Sequence, residues 1–436
     1  MATLLPWMPA ANARRRLWLL LLVATLFLVV AIVVRFARTQ LALHSRPAPV
    51  QIVAPGSAAE IAQLQARLGR NPDNVHTYAQ LGQSLLLHVR ETGDVALYAR
   101  AEQAFVQALQ RDPAHGDALM GRGILALALH DFTGALEWAE RAWAVNPFRA
   151  QTLGVKVDAL VELGRYAEAV EALQQMVDLR PDLQSYTRVS YLRELHGETA
   201  GAIEAMTQAA SMGVPGSEQW LWTLTQLGHL YWNSGKLDEA EASYRQALHL
   251  RADYPYALAG LARVQAARGD LPVAIAQMEG LVRRLPLPEF VVALGDYYAA
   301  AGHADQARQQ YDLVRAMQKL NAAAGMNVDL ELAAFDVEYG DDPVVALAQA
   351  QAAYAARPTI FAADTLAWAY YHVGDYAAAQ AYSQEALRLG TRDAMLHFHA
   401  AQIAAALGDE RSAREHAKQV RAINPHFSLR HRQINE

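Results

Sequence analysis

The feature that most constrains this chain is a period. Pro113, Pro147 and Pro181 stand 34 residues apart, and each ends a helical pattern, because proline lacks the N–H that would continue a helix. One interval is especially legible, with Leu224, Leu227, Gly228 and Tyr231 followed by Gly235, Ala240, Tyr244 and Ala247. Small residues at Gly228, Ala240 and Ala247 let two short antiparallel helices approach closely, while Leu227, Tyr231 and Tyr244 fill the space around the crossing. A length of 436 residues would otherwise suggest two or three globular domains. A fixed period implies instead stacked hairpins, which grow without enclosing one large core.

This interval resembles a tetratricopeptide repeat, with Leu224 in place of the family's first Trp and Tyr244 in place of its Phe. The resemblance implies an all-α, right-handed superhelical solenoid of ten helix-turn-helix repeats over residues 76–425. In that fold the first helix of each pair lines a concave face. Residues 58–75 read as a leading cap helix, Ala58 to Arg70 carrying Ile61, Leu64 and Leu68 on one stripe. Between Gly82 and Ala101 the first repeat is seven residues longer than the interval from Gly228 to Ala240, which predicts a lengthened hairpin around Arg90 to Tyr98. The eighth is blurred, with extra residues around Asn321 to Gly325 before a helix from Asn327 to Tyr339. Residues 426–436 are too short and polar for another repeat and read as a C-terminal tail. Stability is expected to come from interfaces between neighbouring repeats.

Leu17 to Val34 is an apolar run of 18 residues, long enough to span roughly 27 Å as a helix. It predicts a transmembrane helix over 17–35, after an N-terminal tail over 1–16 and before a linker over 36–57 that contains Pro47, Pro49 and Pro55. Arg14, Arg15 and Arg16 on the N-terminal side place that tail in the cytoplasm by the positive-inside rule. The expectation is a single-pass protein of the inner or plasma membrane with extracytoplasmic repeats. The layout also resembles bacterial tetratricopeptide proteins that serve cytochrome c maturation.

Net charge is -6, but the first 50 residues carry six arginines and no acid, so the remainder stands at 32 minus 44, or -12. Such a balance argues against nucleic acid, whose phosphates need a basic face. The absence of cysteine excludes disulfides, thiolate metal sites and cysteine nucleophiles. No phosphate loop, nucleophile elbow, His-Glu-x-x-His or calcium loop occurs. The expectation is a non-enzymatic chain with no cofactor and no metal. His397 and His399 lie near His372 and His416 but are two residues apart, so on a helix their side chains diverge by about 200°.

The family pattern implies which side chains face the groove: Trp222, Thr225, His229, Trp232 and Asn233 in repeat five, and Arg188 and Tyr191 in repeat four. Repeat nine would supply Asp364, Trp368, Tyr371 and His372, with Phe398 and His399 following. Aromatics with a polar edge suit peptide binding, because they offer area at little cost in rotamer entropy. Ala79 and Gln83 stand where the chaperone-binding clamp of some tetratricopeptide domains has Lys and Asn, so that specificity is not expected. The reading is a membrane-tethered scaffold that binds a partner protein or extended peptide, in assembly or maturation of an envelope complex. The alternative is a ligand- or glycan-sensing subunit of a membrane enzyme complex.

Overall fold

The computed structural model describes residues 57–431, and among them every regular element is an α-helix. A leading helix, α1 (Ala58–Arg70), packs on the first of ten hairpins. Repeats one to three are α2 (Val75–Thr92) with α3 (Leu97–Arg111), α4 (Gly116–Ala128) with α5 (Phe132–Val145), and α6 (Ala150–Glu162) with α7 (Tyr166–Leu179). Repeats four to six are α8 (Leu183–Leu195) with α9 (Thr199–Met212), α10 (Glu218–Asn233) with α11 (Leu237–Leu250), and α12 (Pro255–Ala267) with α13 (Leu271–Arg284). Repeat seven is α14 (Pro288–Ala300) with α15 (Ala304–Ala323), and repeat eight is α16 (Asp329–Tyr339) with α17 (Pro343–Ala356). The last two are α18 (Ile360–His372) with α19 (Tyr376–Ala386), and α20 (Ala394–Ala406) with α21 (Glu410–Ile423). Each helix packs on its hairpin partner and on the hairpin that follows, as a solenoid requires.

Local chemistry sets these boundaries. Asp375 and Asp409 cap α19 and α21 by accepting the N–H of Ala378 at 3.1 Å and of Ser412 at 3.0 Å. Tyr244 is fully buried, its relative exposure 0%, and its ring fills the notch left by Gly228 in its own repeat and Gly260 in the next. A Cβ at Gly260 would lie 2.5 Å from that ring. Phe105 occupies the same kind of notch between Gly82 and Gly121. At these two interfaces the small residues of the period are therefore the sockets for one aromatic ring.

Two irregular repeats resolve differently. In the first, the extra residues lengthen α2 to 18 residues and open a turn before Leu97, inside the stretch the sequence indicated. Those before repeat eight add turns to the end of α15, which reaches 20 residues. Ala and Gln there continue a helix at little cost, so the insertion is helical rather than a loop, and α16 begins at Asp329 rather than Asn327.

The largest departure is that neighbours are not the whole of the packing. Tyr166 accepts the N–H of Ile360 at 3.0 Å, 194 residues away. The Thr391 hydroxyl donates to the Leu195 carbonyl, 196 residues away, and Asn424 Nδ2 donates to the Trp232 carbonyl at 2.8 Å, 192 residues away. Arg357 reaches Glu162 at 3.4 Å. The superhelix therefore completes a turn in fewer than six repeats and rests on itself. Its seam joins the turn inside each early hairpin to the loop that precedes a late one.

The left-handed turn residues divide along this line. Gly164 lies against the Pro358 carbonyl and Gly197 against that of Gly390, whereas a Cβ at Gly269, Gly302, Gly374 or Gly408 would meet nothing within 4 Å. His130 takes the position in repeat two with φ 58°, the one non-glycine residue at positive φ among those described. Its Nδ1 donates to the Asn327 carbonyl at 2.9 Å and its ring stacks on Phe132. The hydrogen bond with Glu331 holds its pKa above the usual range against the opposing effect of burial.

No helix among the described residues is long and apolar enough to cross a membrane. The run Leu17 to Val34, the N-terminal tail, nearly all of the linker and residues 432–436 lie outside the described residues.

Candidate functional site

The first helices of repeats five to ten border an open cavity of about 750 Å³. α10 supplies Trp232 and Asn233, α12 Arg263, and α14 Glu289, Asp296 and Tyr297. α16 supplies Glu331, Phe335, Glu338 and Tyr339, α18 Asp364 and Trp368, and α20 His399. Two residues of the lengthened α15, Val314 and Gln318, reach in as well, and residues 426–431 cross the space. A face lined by first helices is what the family pattern implies.

Carboxylates dominate its polar chemistry. Asp296 accepts from the hydroxyls of Tyr311 at 2.9 Å and Tyr339 at 3.2 Å, and burial raises its pKa to about 6 in spite of these donors. Glu338 is half-buried and binds Trp368 Nε1 at 3.2 Å and His431 Nε2 at 3.0 Å. Burial alone would raise its pKa. The His431 hydrogen bond and the charge of Arg430 reverse the sign and hold it below the usual carboxylate value. Glu162 and Glu194, on the first helices of repeats three and four, are both raised by burial.

The residues the sequence pointed to separate into three groups. Trp232, Asn233, Asp364, Trp368 and His399 line the cavity. Trp368 is stacked between Tyr371 at 4.5 Å and His399 at 4.2 Å. His372 meets Trp368 edge-on at 4.8 Å, and burial lowers its pKa. His399 Nδ1 lies 2.9 Å from Asp364, while its buried Nε2 has no partner among the described residues. Trp222 and Tyr191, each 39% exposed, do not line the cavity, and Phe398 lies behind its lining, packed on Trp368 at 6.0 Å and on Phe427 at 5.6 Å.

The others are occupied elsewhere. Thr225 is fully buried, its hydroxyl donating to the Leu221 carbonyl at 2.9 Å, so it offers nothing to a ligand. His229 lies 2.8 Å from the Tyr244 hydroxyl, and burial with the Arg263 charge lowers its pKa to about 3. It is therefore the neutral imidazole that hydrogen-bonds Tyr244. Arg188 is locked on Asp158 by two bonds of 2.8 and 2.6 Å.

Sequence reasoning missed Arg263, Glu289, Asp296 and Glu338. The register could have found two of them: Arg263 lies 34 residues beyond His229, and Asp296 follows Gly295 as His229 follows Gly228. Glu338 sits in the blurred repeat, where no local pattern marks the groove position.

The one metal-type cluster among the described residues lies apart from this site. His397 and His399 diverge as their spacing requires, His397 meeting His416 at 3.0 Å and His399 meeting Asp364. The ligand atoms of His76, His115 and Asp117 lie within 4.8 Å of one another. Asp117, however, is held by Arg149 at 2.6 Å, and His115 Nδ1 caps α4 through the Ala118 N–H.

A curved stack of helical hairpins whose first helices wall an acidic, aromatic lumen defines a helical-repeat scaffold, an architecture suited to protein or peptide binding. The pattern described as "Tetratricopeptide repeat" matches residues 86–149, 155–217, 225–287 and 362–392. The chain belongs to the tetratricopeptide repeat family.

Among curated relatives, cellulose synthase 1 operon protein C of Komagataeibacter xylinus is 27% identical over 220 residues, covering 49% of this chain and 14% of that protein. Tetratricopeptide repeat protein 13 of Homo sapiens is 28% identical over 163 residues, covering 36% of this chain and 18% of that one. The chain thus matches less than a fifth of the length of either relative. Among solved structures, the human IFIT1 dimer with PPP-AAAA is 15% identical with a TM-score of 0.48, covering 76% of this chain and 77% of that one.

Proposed function

We propose that this chain is a non-enzymatic scaffold, tethered to a membrane by Leu17 to Val34, that holds a partner protein or extended peptide in the lumen of its repeats. The observation that carries the reading is the cavity of about 750 Å³, walled by first helices of six successive repeats. Preorganised walls lower the entropy cost of holding an extended ligand. Acids along the wall favour a basic partner and disfavour a polyanion. The arginines at positions 14 to 16 support repeats on the extracytoplasmic side, where the scaffold would serve assembly or maturation of an envelope complex. A fusion reporter after Glu436 that is active only in the cytoplasm would refute that orientation.

The test is affinity capture from detergent extract with Arg263→Ala and Glu289→Ala in the lumen, against Arg245→Ala on the second helix α11. Loss of one defined protein with the lumen pair and its retention with Arg245→Ala is the expected result. Equal capture by all three would refute the groove. A second reading, a glycan- or ligand-sensing subunit of an enzyme complex, draws support from the similarity to a protein of a cellulose synthase operon and from the Trp368, Tyr371 and His399 stack. It requires a bound saccharide or small molecule, lost with the same lumen pair, in place of a protein.

A further inference from the structure

The lumen already holds a length of chain. Beyond α21, Asn424 is anchored to the opposite turn through the Trp232 carbonyl, and its own side chain accepts the His426 N–H at 2.8 Å. This turn directs residues 426–431 inward. Phe427 packs on Phe398 at 5.6 Å between ring centres, and the His431 ring stacks on the same phenyl at 4.4 Å. Leu429 joins the apolar cluster built around Phe290 and Leu294. The Arg430 guanidinium lies over Tyr339 at 4.7 Å, and its Nε donates to Glu338 at 3.1 Å.

We propose that this stretch fills a subsite for an extended segment carrying arginine beside aromatic and aliphatic residues, and that a partner of that chemistry binds by displacing it. The inference rests on the groove reading above. It follows from what Glu338 would face without the stretch. Of its three donor side chains, Arg430 and His431 come from the occupant and only Trp368 from the wall. Withdrawing the stretch leaves this carboxylate with one side-chain donor, Trp368, and no cation beside it, which favours a replacement cation. The apolar contacts point the same way. Phe398 and the Phe290 cluster would each lose apolar cover, and an incoming segment restores both only if it carries two apolar side chains near its arginine.

The occupant is suited to exchange. Its side chains are half-buried at most, Arg430 is exposed, and it contributes no helix to the stack. Tethering nevertheless gives it a high effective concentration, on the order of millimolar for a short linker, so a free peptide competes poorly until the grip is weakened.

The probe is a fluorescent peptide of residues 425–436 added to the intact protein in detergent, read by anisotropy. In one variant the grip is removed by Phe427→Ala, Arg430→Ala and His431→Ala together, with retained helical circular dichroism as the control for folding. That variant should bind the peptide at least about tenfold more tightly than the parent chain. Adding Glu338→Gln, which can still accept from Trp368, should abolish the gain. Equal binding by parent and variant, or a gain indifferent to Glu338→Gln, overturns the proposal. Partner capture separates the two levels. If the weakened variant ignores the peptide while its protein partner is still lost with Arg263→Ala and Glu289→Ala, the subsite falls and the groove stands. If those lumen changes leave capture intact, the groove itself falls.

Discussion

The seam between successive superhelical turns can be weighed with a pair of alanine substitutions. Gly164 and Gly374 occupy the same position, just past the C-cap of a first helix, with φ of 70° and 83°. Either change forces an L residue into left-handed backbone, at about 1–2 kcal/mol. At Gly374 that is the whole effect, because the new Cβ meets nothing within 4 Å. At Gly164 the Cβ would lie 2.6 Å from the Pro358 carbonyl oxygen and 3.3 Å from the Thr359 nitrogen. Backbone cannot rotate aside as a side chain can, so overpacking adds about 1–3 kcal/mol. Gly164→Ala should therefore cost about 2–5 kcal/mol and Gly374→Ala about 1–2 kcal/mol. Urea unfolding followed by circular dichroism, with slopes compared to confirm that the same surface unfolds, measures the difference. Equal losses would mean that the turns do not touch in solution. A longer maximum dimension for Gly164→Ala in small-angle scattering would be the matching sign of an opened seam.

Three further outcomes follow from the packing. Tyr244→Ala should cost about 3–5 kcal/mol in denaturant melting, the range for deleting a buried aromatic, since the ring is fully buried between Gly228 and Gly260; a change near zero would refute this register. Asp296, with a pKa raised from 3.8 to about 6, binds its proton more tightly when folded, so its ionisation destabilises the fold as pH rises through that window. Asp296→Asn should flatten this part of the stability-pH profile between pH 4 and 6, and an unchanged profile would show that another group is responsible. Glu338 has the opposite sign, its pKa lowered when folded, so the stability it contributes above its unfolded value is lost as pH falls through its folded one. Glu338→Gln should remove that acid-side loss, measured as melting temperature against pH.

The repeat architecture was legible because close helix crossings need small residues around whatever fills them, and Gly228, Ala240, Tyr244 and Ala247 spell that requirement locally. The groove was legible only where the register stayed clean. Trp232, Asn233, Asp364, Trp368 and His399 reach the cavity as the pattern implies, whereas Thr225 and His229 satisfy the packing itself. Asp296 was within reach of the same counting, and Glu338 was not, because α16 follows an insertion that hides the phase. The seam had no signature at all. A contact such as Tyr166 with Ile360 depends on the summed rotation of many hairpins, and no local spacing reports a sum.

An array that touches itself once per turn is bound in its number of parts. Losing or duplicating one hairpin would shift every later loop by 34 residues against the earlier turns, so that Gly164 no longer faced Pro358 and Tyr166 no longer met Ile360. Open solenoids shed and gain units freely, since each link answers only to the next. Here the coil behaves more like a thread cut to a fixed pitch, in which altered length is felt along the whole screw.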